Sequence, residues 1–200
     1  MISRRRILAG AAALLLPGPA AARRLPPLSE ILFDPALPVL GNPAGDVTIA
    51  EFFDYACPSC KALHPHLKRI VAEDGGIRLV MKDWPINGDV VRYASRMVLA
   101  AGRLGHYAAA NAAVMEMTVT LTHGRIDDAM RARDVDVGAV RDALDIHIDD
   151  IDALIARNEK QARALSLPGT PGFIVGAQLY RRLLSPDELL QAVRQARGAD

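Results

Sequence analysis

The chain has 200 residues, with 24 lysines and arginines against 23 aspartates and glutamates, and only two cysteines. That near-neutral balance offers no basic face for nucleic acid. A chain of this length can build a substantial core, so it does not need disulfide staples to fold.

The first elements concern export. Ser3-Arg4-Arg5-Arg6 precedes an apolar run from Ile7 to Leu16, then Pro17-Gly18-Pro19 and Ala20-Ala21-Ala22. A charged start, a short apolar run and a small-residue site read as a secretory signal peptide over 1–22, cleaved near Ala22. Ser3-Arg4-Arg5-Arg6-Ile7-Leu8 fits the twin-arginine pattern, and three arginines serve a Sec signal equally well. The run is too short for a membrane span, which takes about 20 apolar residues. Losing these residues removes three arginines from the 24 and leaves 21 bases against 23 acids. The expected destination is the periplasm, an oxidising compartment.

Residues 23–45, rich in proline and ending in Gly41-Asn42-Pro43-Ala44-Gly45, predict an extended arm with a turn. Val47 to Phe53 is apolar on both faces apart from Glu51, as a central strand requires. Cys57-Pro58-Ser59-Cys60 follows, then Leu63, Leu67, Ile70 and Val71 at helical spacing up to Gly75-Gly76. Pro65 clashes with the Lys61 carbonyl and should bend that helix. Ile77–Lys82 predicts a second strand, and a strand-helix-strand unit this short makes the two strands parallel.

From Asn87 to Leu165 the pattern turns helical, with about five segments: 90–104, 107–117, 126–133, 137–144 and 151–164. Two of the starts carry acids, Asp134/Asp136 and Asp149/Asp150/Asp152, which suit helix N-termini. Phe173-Ile174-Val175 and Leu179-Tyr180 predict two short antiparallel strands. Ser185-Pro186-Asp187-Glu188 is a capping box that opens a last helix.

The order β-α-β, helical block, β-β-α is an α/β arrangement that resembles the thioredoxin-like fold with an inserted all-helical domain. More specifically, the chain resembles the DsbA-like family of exported thiol–disulfide oxidoreductases. The residues that carry the likeness are Glu51 to Lys61, Leu63-His64-Pro65 and Gly169-Thr170-Pro171-Gly172-Phe173. The resemblance implies an extended arm at 23–45, a thioredoxin-like domain from 46–86 and 166–200, and a helical insertion at 87–165.

Two cysteines three apart suit redox chemistry or metal capture better than stapling, because a crosslink stabilises little when its loop is this short. Cys57 falls where strand gives way to helix, with Pro58 in the first turn. A thiolate there faces unpaired backbone N–H groups and the positive end of the helix dipole, which lowers its pKa. Cys57 is therefore the expected exposed nucleophile and Cys60, one turn in, the shielded resolving thiol. The metal alternative would add His64 and His66 to the two thiols, and that face lacks a dependable fourth ligand.

Glu51 has two readings. A buried carboxyl with a raised pKa could pass protons to Cys60, or it could meet Lys82 of the next strand. Asp54 reads as a turn residue. The resemblance matches Glu51 to the family's acidic residue before the first cysteine. It also implies a cis bond before Pro171, with Thr170 beside the dithiol and its neighbouring backbone able to pair with an extended substrate. The most oxidising family members carry histidine before the second cysteine, and Ser59 offers only a hydroxyl, so a less oxidising pair is expected.

The expected activity is that of a periplasmic thiol–disulfide oxidoreductase acting on cysteines of secreted proteins as disulfide donor, with no cofactor and with a membrane redox partner that resets it. The alternatives are a disulfide reductase or isomerase, or a thiol metal-binding chaperone. The family's isomerases carry a sizeable N-terminal dimerisation domain that the stretch before the first strand cannot hold, so a monomer is expected.

Overall fold

A computed structural model describes residues 25–198. The expected signal peptide lies outside the described residues. The framework is one five-stranded sheet, built from β1 (Val39–Gly41), β2 (Val47–Phe53), β3 (Ile77–Asp83), β4 (Gly172–Val175) and β5 (Gln178–Tyr180) in the order β1-β3-β2-β4-β5. The central strand β2 is buried at all seven positions, which explains its near-continuous apolar run. It pairs in parallel with β3 and antiparallel with β4. β1 and β5 close the two edges, each antiparallel to its neighbour.

Seven helices surround the sheet among the described residues: α1 (Leu28–Leu32), α2 (Pro58–Asp74), α3 (Asp89–Arg103), α4 (Tyr107–Met115), α5 (His123–Arg131), α6 (Val137–Ala164) and α7 (Pro186–Ala196). Helix α2 continues through Pro65 and ends at Gly75, whose left-handed backbone (φ 68°) donates its N–H back to the Val71 carbonyl. Helix α7 opens with the expected capping box: the Ser185 side chain accepts from Glu188 N–H, and Glu188 accepts from Ser185 N–H. Arg197, just past α7, pairs with both Asp46 and Asp74. It thereby ties the end of the chain to the start of β2 and the end of α2.

Two expectations need correction. Residues 23–45 are not simply an extended arm, because they contain α1 and β1, and Ile31, Leu32 and Leu37 are buried in the core. The carbonyls at the end of α1 are held from afar: Gln161 Nε2 donates to Glu30 O, Lys82 Nζ to Ile31 O and Arg78 Nη1 to Leu32 O. Gly41 closes β1 at φ 71°, and a Cβ there would lie 2.6 Å from the Ile77 carbonyl oxygen, so only glycine fits.

The second correction concerns the helical block, which holds four helices and not five. Residues 137–164 form one 28-residue helix. Its middle lies at the surface, so the apolar rhythm lapses there while the helix does not, and no glycine or proline breaks it. Asp149, Asp150 and Asp152 are therefore mid-helix residues, and Asp152 pairs with Arg96. The start at 137 is a true cap, with the Asp136 side chain accepting from Gly138 and Ala139 N–H.

Candidate active site

Strand β2 delivers the chain to the site and Asp54 shapes the turn that follows it. Asp54 Oδ1 accepts from Ala56 N–H at 2.7 Å, and the Asp54 carbonyl accepts from Cys57 N–H at 3.0 Å. Its other oxygen, Oδ2, accepts from Ile86 and Asn87 N–H at 2.8 and 3.1 Å, joining the loop after β3 to the loop after β2. One carboxylate thus makes the expected turn and also locks a second loop that the sequence did not connect to it.

Cys57 is the N-cap of α2 and Pro58 occupies its first turn. The Cys57 sulfur accepts from Cys60 N–H at 3.4 Å. As a thiol it donates to the Thr170 carbonyl at 3.3 Å, across 113 residues of sequence. The two sulfurs are unbonded. Both cysteines are buried, Cys57 at 7% exposure and Cys60 at none. Cys57 is thus less exposed than its place at the helix start suggested, because the Thr170-Pro171 segment lies against it. It remains the nearer of the two to the surface.

The electrostatics separate the pair further. Cys57 is pulled down to about 5, foremost by a hydrogen bond from the Cys60 thiol. The Thr170 side chain and the backbone N–H groups of Cys60 and Ser59 add to this against opposing burial. Cys60 is pushed far up by the same bond, by burial and by the nearby charge of Glu51. At neutral pH the arrangement is thiolate on Cys57 and thiol on Cys60. Ser59 contributes to this through its backbone N–H.

Glu51 is 1% exposed and neither carboxyl oxygen has a hydrogen-bond partner. Burial, with a smaller push from the charge on Cys57, raises it to about 8. The alternative pairing with Lys82 does not occur. Glu51 stands opposite Met81 and Phe52 opposite Lys82 in the parallel register, so alternation along each strand sends Glu51 and Lys82 to opposite faces of the sheet. Lys82 instead donates to Ile31 O and lies over the Phe52 ring.

On the other side of the sulfur, the Thr170-Pro171 peptide is cis and leads directly into β4. The site therefore gathers Glu51, the Cys57–Cys60 segment and Thr170-Pro171 from three separate elements. His64 packs inside the protein, 3% exposed, with Nε2 unpartnered and its pKa driven down to about 4, chiefly by burial. Among the described residues no three His, Cys, Asp or Glu side chains group so as to hold a metal ion.

Two neighbours escaped the sequence reading. Lys61 Nζ donates to the carbonyls of Val114, Met115 and Met117, fastening α2 to the end of α4. Asp83 is fully buried with both oxygens unpartnered, and burial raises it to about 7. The Ser95 side chain moderates that rise. The charged doublet Lys82-Asp83, ending an apolar strand, was the signal that could have exposed it.

The model of the thioredoxin family matches residues 34–195. Among solved structures, a thioredoxin-like oxidoreductase from Silicibacter pomeroyi DSS-3 is 34% identical with a TM-score of 0.82, over 88% of this chain and 100% of that one. The thiol-disulfide exchange protein alpha-DsbA2 from Wolbachia pipientis is 26% identical with a TM-score of 0.79, over 84% and 90% of the two chains. A periplasmic thioredoxin-like protein from Salmonella enterica serovar Typhimurium is 25% identical with a TM-score of 0.75, over 86% and 95%. A comparison with curated proteins gives no match. The chain belongs to the thioredoxin family and has the thioredoxin-like fold of DsbA-like thiol–disulfide exchange proteins.

Proposed function

We propose that the protein is a periplasmic thiol–disulfide oxidoreductase that exchanges a Cys57–Cys60 disulfide with the cysteines of secreted proteins, with donation as the favoured direction. The observation that carries this reading is the division of the pair into a stabilised thiolate at the start of α2 and a fully buried thiol one turn further in. In donation, a substrate thiolate attacks Cys57 Sγ of the disulfide, and the Cys60 thiolate leaves and takes a proton from Glu51. A second substrate thiolate then attacks the substrate sulfur of the mixed disulfide and expels Cys57 as thiolate. The substrate loses two electrons and the cysteine pair gains them, so no further cofactor takes part.

Glu51 suits the proton-transfer role because a group near 8 exchanges protons readily around neutral pH. Thr170-Pro171 forms the wall against which the substrate lies, and Pro58 and Ser59 set the helix start that holds Cys57 as thiolate. Export rests on the signal-like residues 1–22 and on the likeness to a periplasmic protein. Among the described residues no helix is long and apolar enough to cross a membrane. A membrane redox partner that reoxidises the pair, and a monomeric state, complete the proposal.

Stabilising the Cys57 thiolate stabilises the reduced form and makes the disulfide more oxidising. A Cys57 near 5 falls between the ~7 of thioredoxin and the ~3.5 of DsbA. The expected potential therefore lies between roughly −270 and −120 mV, measured by equilibration with glutathione. A value at or below the thioredoxin end would remove the case for donation.

A further inference from the structure

Glu51 and Cys60 exchange a proton in the proposed reaction, yet Glu51 is 1% exposed and Cys60 not at all. A proton that Glu51 gives or takes must therefore be passed on inside the protein. Glu51 stands opposite Met81 and Phe53 opposite Asp83, so alternation puts Glu51 and Asp83 on the same face of the sheet. They are one strand and two residues apart, roughly 8 Å between Cα atoms from the standard sheet spacings. Lys82 lies on the opposite face and takes no part.

Two phenols join the carboxyls. Tyr55 is fully buried, and its hydroxyl accepts from Asn111 Nδ2 at 3.0 Å. Tyr107 of α4 is buried with its hydroxyl unpartnered. Burial foremost raises both phenols, and the charges of Asp83 and Glu51 each raise both further. The phenols thus stand within range of both carboxyls. The two oxygens of Glu51, the two of Asp83 and the Tyr107 hydroxyl all lack a hydrogen-bond partner. Buried polar atoms are nearly always paired, so this concentration of unpaired ones calls for a function.

Asp83 suits a second position in a proton path. Burial foremost raises it to about 7, against a lowering by Ser95 of α3 and with a smaller push from Asp54. Glu51, which faces Cys57 and Cys60 of α2, is near 8. A difference of one unit is only a tenfold bias, so a proton crosses readily in either direction. Asp54, the remaining carboxyl nearby, is occupied by the N–H groups of Ala56, Ile86 and Asn87.

We propose that Asp83 is a second proton carrier for the cysteine pair, exchanging protons with Glu51 by way of the Tyr55 and Tyr107 hydroxyls. Tyr107 also lines a cavity of about 310 Å³ with Leu99 and Arg103, the side of the cluster nearest solvent. When a mixed disulfide on Cys57 is resolved, the Cys60 thiol gives its proton to the Glu51 carboxylate. The Cys60 thiolate attacks Cys57 Sγ, the Cys57–Cys60 bond forms, and the partner sulfur leaves as thiolate. Glu51 then passes the proton to a phenol, which releases its own to the Asp83 carboxylate. The cysteine pair loses two electrons to the partner, and only protons cross the cluster. In donation each proton moves the opposite way. Asp83 touches neither sulfur and acts through Glu51. This inference rests on the disulfide-exchange reading and deepens it.

The test uses the full-length reduced protein, oxidised by excess glutathione disulfide and stopped by rapid acid quench. Formation of the Cys57–glutathione mixed disulfide draws no proton from the interior, whereas its resolution by Cys60 does. Asp83→Asn should keep the formation rate and slow resolution by about tenfold, less than the ~10²-fold of a carrier that acts directly. Its resolution rate should also lose the inflection near pH 7 that Asp83 gives the wild type. Tyr107→Phe, which removes only an unpartnered hydroxyl, should slow resolution as well. Adding Asp83→Asn to Glu51→Gln should slow it no further than Glu51→Gln alone, because carriers in series are not additive.

The inference is overturned if Asp83→Asn slows both steps alike, which marks a purely structural role, or if it multiplies the loss caused by Glu51→Gln. It is also overturned if either Asp83→Asn or Tyr107→Phe resolves at the wild-type rate. Those results leave disulfide exchange standing and remove only the part of Asp83. A wild-type protein that never forms the mixed disulfide removes the exchange reading itself.

Discussion

At the scale of single residues, the site works by keeping two identical thiols unlike each other. Thr170 contributes to that difference through its side chain, which lowers the Cys57 pKa. Thr170→Val should raise the Cys57 pKa and slow its alkylation at pH 5 by about three- to tenfold, the cost of one hydrogen bond to a charged group. Alkylation of Cys60 should stay negligible in both proteins. Glu51→Gln should slow the step in which Cys60 gains or loses its proton by about ten- to a hundredfold. Trapping the mixed disulfide by rapid acid quench would show it accumulating in the variant.

Glu51 also leaves a mark on stability. Its pKa is about 8 in the folded protein against 4.5 for the free group. Between these values the folded state holds a proton that the unfolded chain releases, so stability declines as pH rises through this window. Asp83, raised from 3.8 to about 7, acts in the same direction. Buried His64, lowered to about 4, opposes them below 6.5, and buried Lys82, lowered to about 7, offsets Glu51 above 7. Urea unfolding of the oxidised protein, in which Cys57 does not titrate, should therefore show the decline most clearly between pH 6 and 7. Glu51→Gln should flatten it in part, and Asp83→Asn should remove much of the rest.

Among the elements, Lys61 links the active-site helix to the insertion. Lys61→Met should cost about 1–3 kcal/mol in chemical denaturation, because three carbonyls at the end of α4 lose their donor. The elements differ in how plainly the sequence announces them. Strand β2, helix α2 and the capped start of α7 are legible because their causes are local: an unbroken apolar run, a cysteine-proline start before a double glycine, and a Ser–Glu box. Helix α1 and strand β1 are not, since Arg78, Lys82 and Gln161 hold α1 from 46 to 131 residues away and β1 forms only by pairing with β3. The length of α6 is hidden because its middle covers no core. The failed Glu51–Lys82 pairing was a matter of parity, decided by a register that becomes visible only when β3 is laid beside β2. The cysteines could be read from their spacing, but the contact of Cys57 with the Thr170 carbonyl could not, because it closes a loop of 113 residues.

For the molecule as a whole, redox state and stability are linked through Cys57. Its folded pKa of about 5 lies below the ordinary thiol value of 9.0. The reduced protein therefore carries a stabilisation that is fully present above 9 and lost as pH falls through 5. Cys60 adds nothing in that window, since its thiol is protonated whether folded or unfolded below about 8. Thermal melts of the two redox forms should separate progressively from pH 5 to 8, with the reduced form gaining. Melts that run parallel across this range would show that the Cys57 thiolate is not held by the fold.

The placement of β2 at the centre of the sheet has a consequence for how such a change could be observed. Backbone amides in a central, fully buried strand exchange with solvent only when the whole domain opens. Deuterium uptake at Phe52 and Phe53 should thus follow global unfolding, although these residues sit a few positions from the reacting sulfur. Reducing the cysteine pair should slow uptake there at pH 7, far more than in the edge strands β1 and β5. The interior of the sheet would then record, on a timescale of hours, an electron transfer that took place just past the end of its central strand.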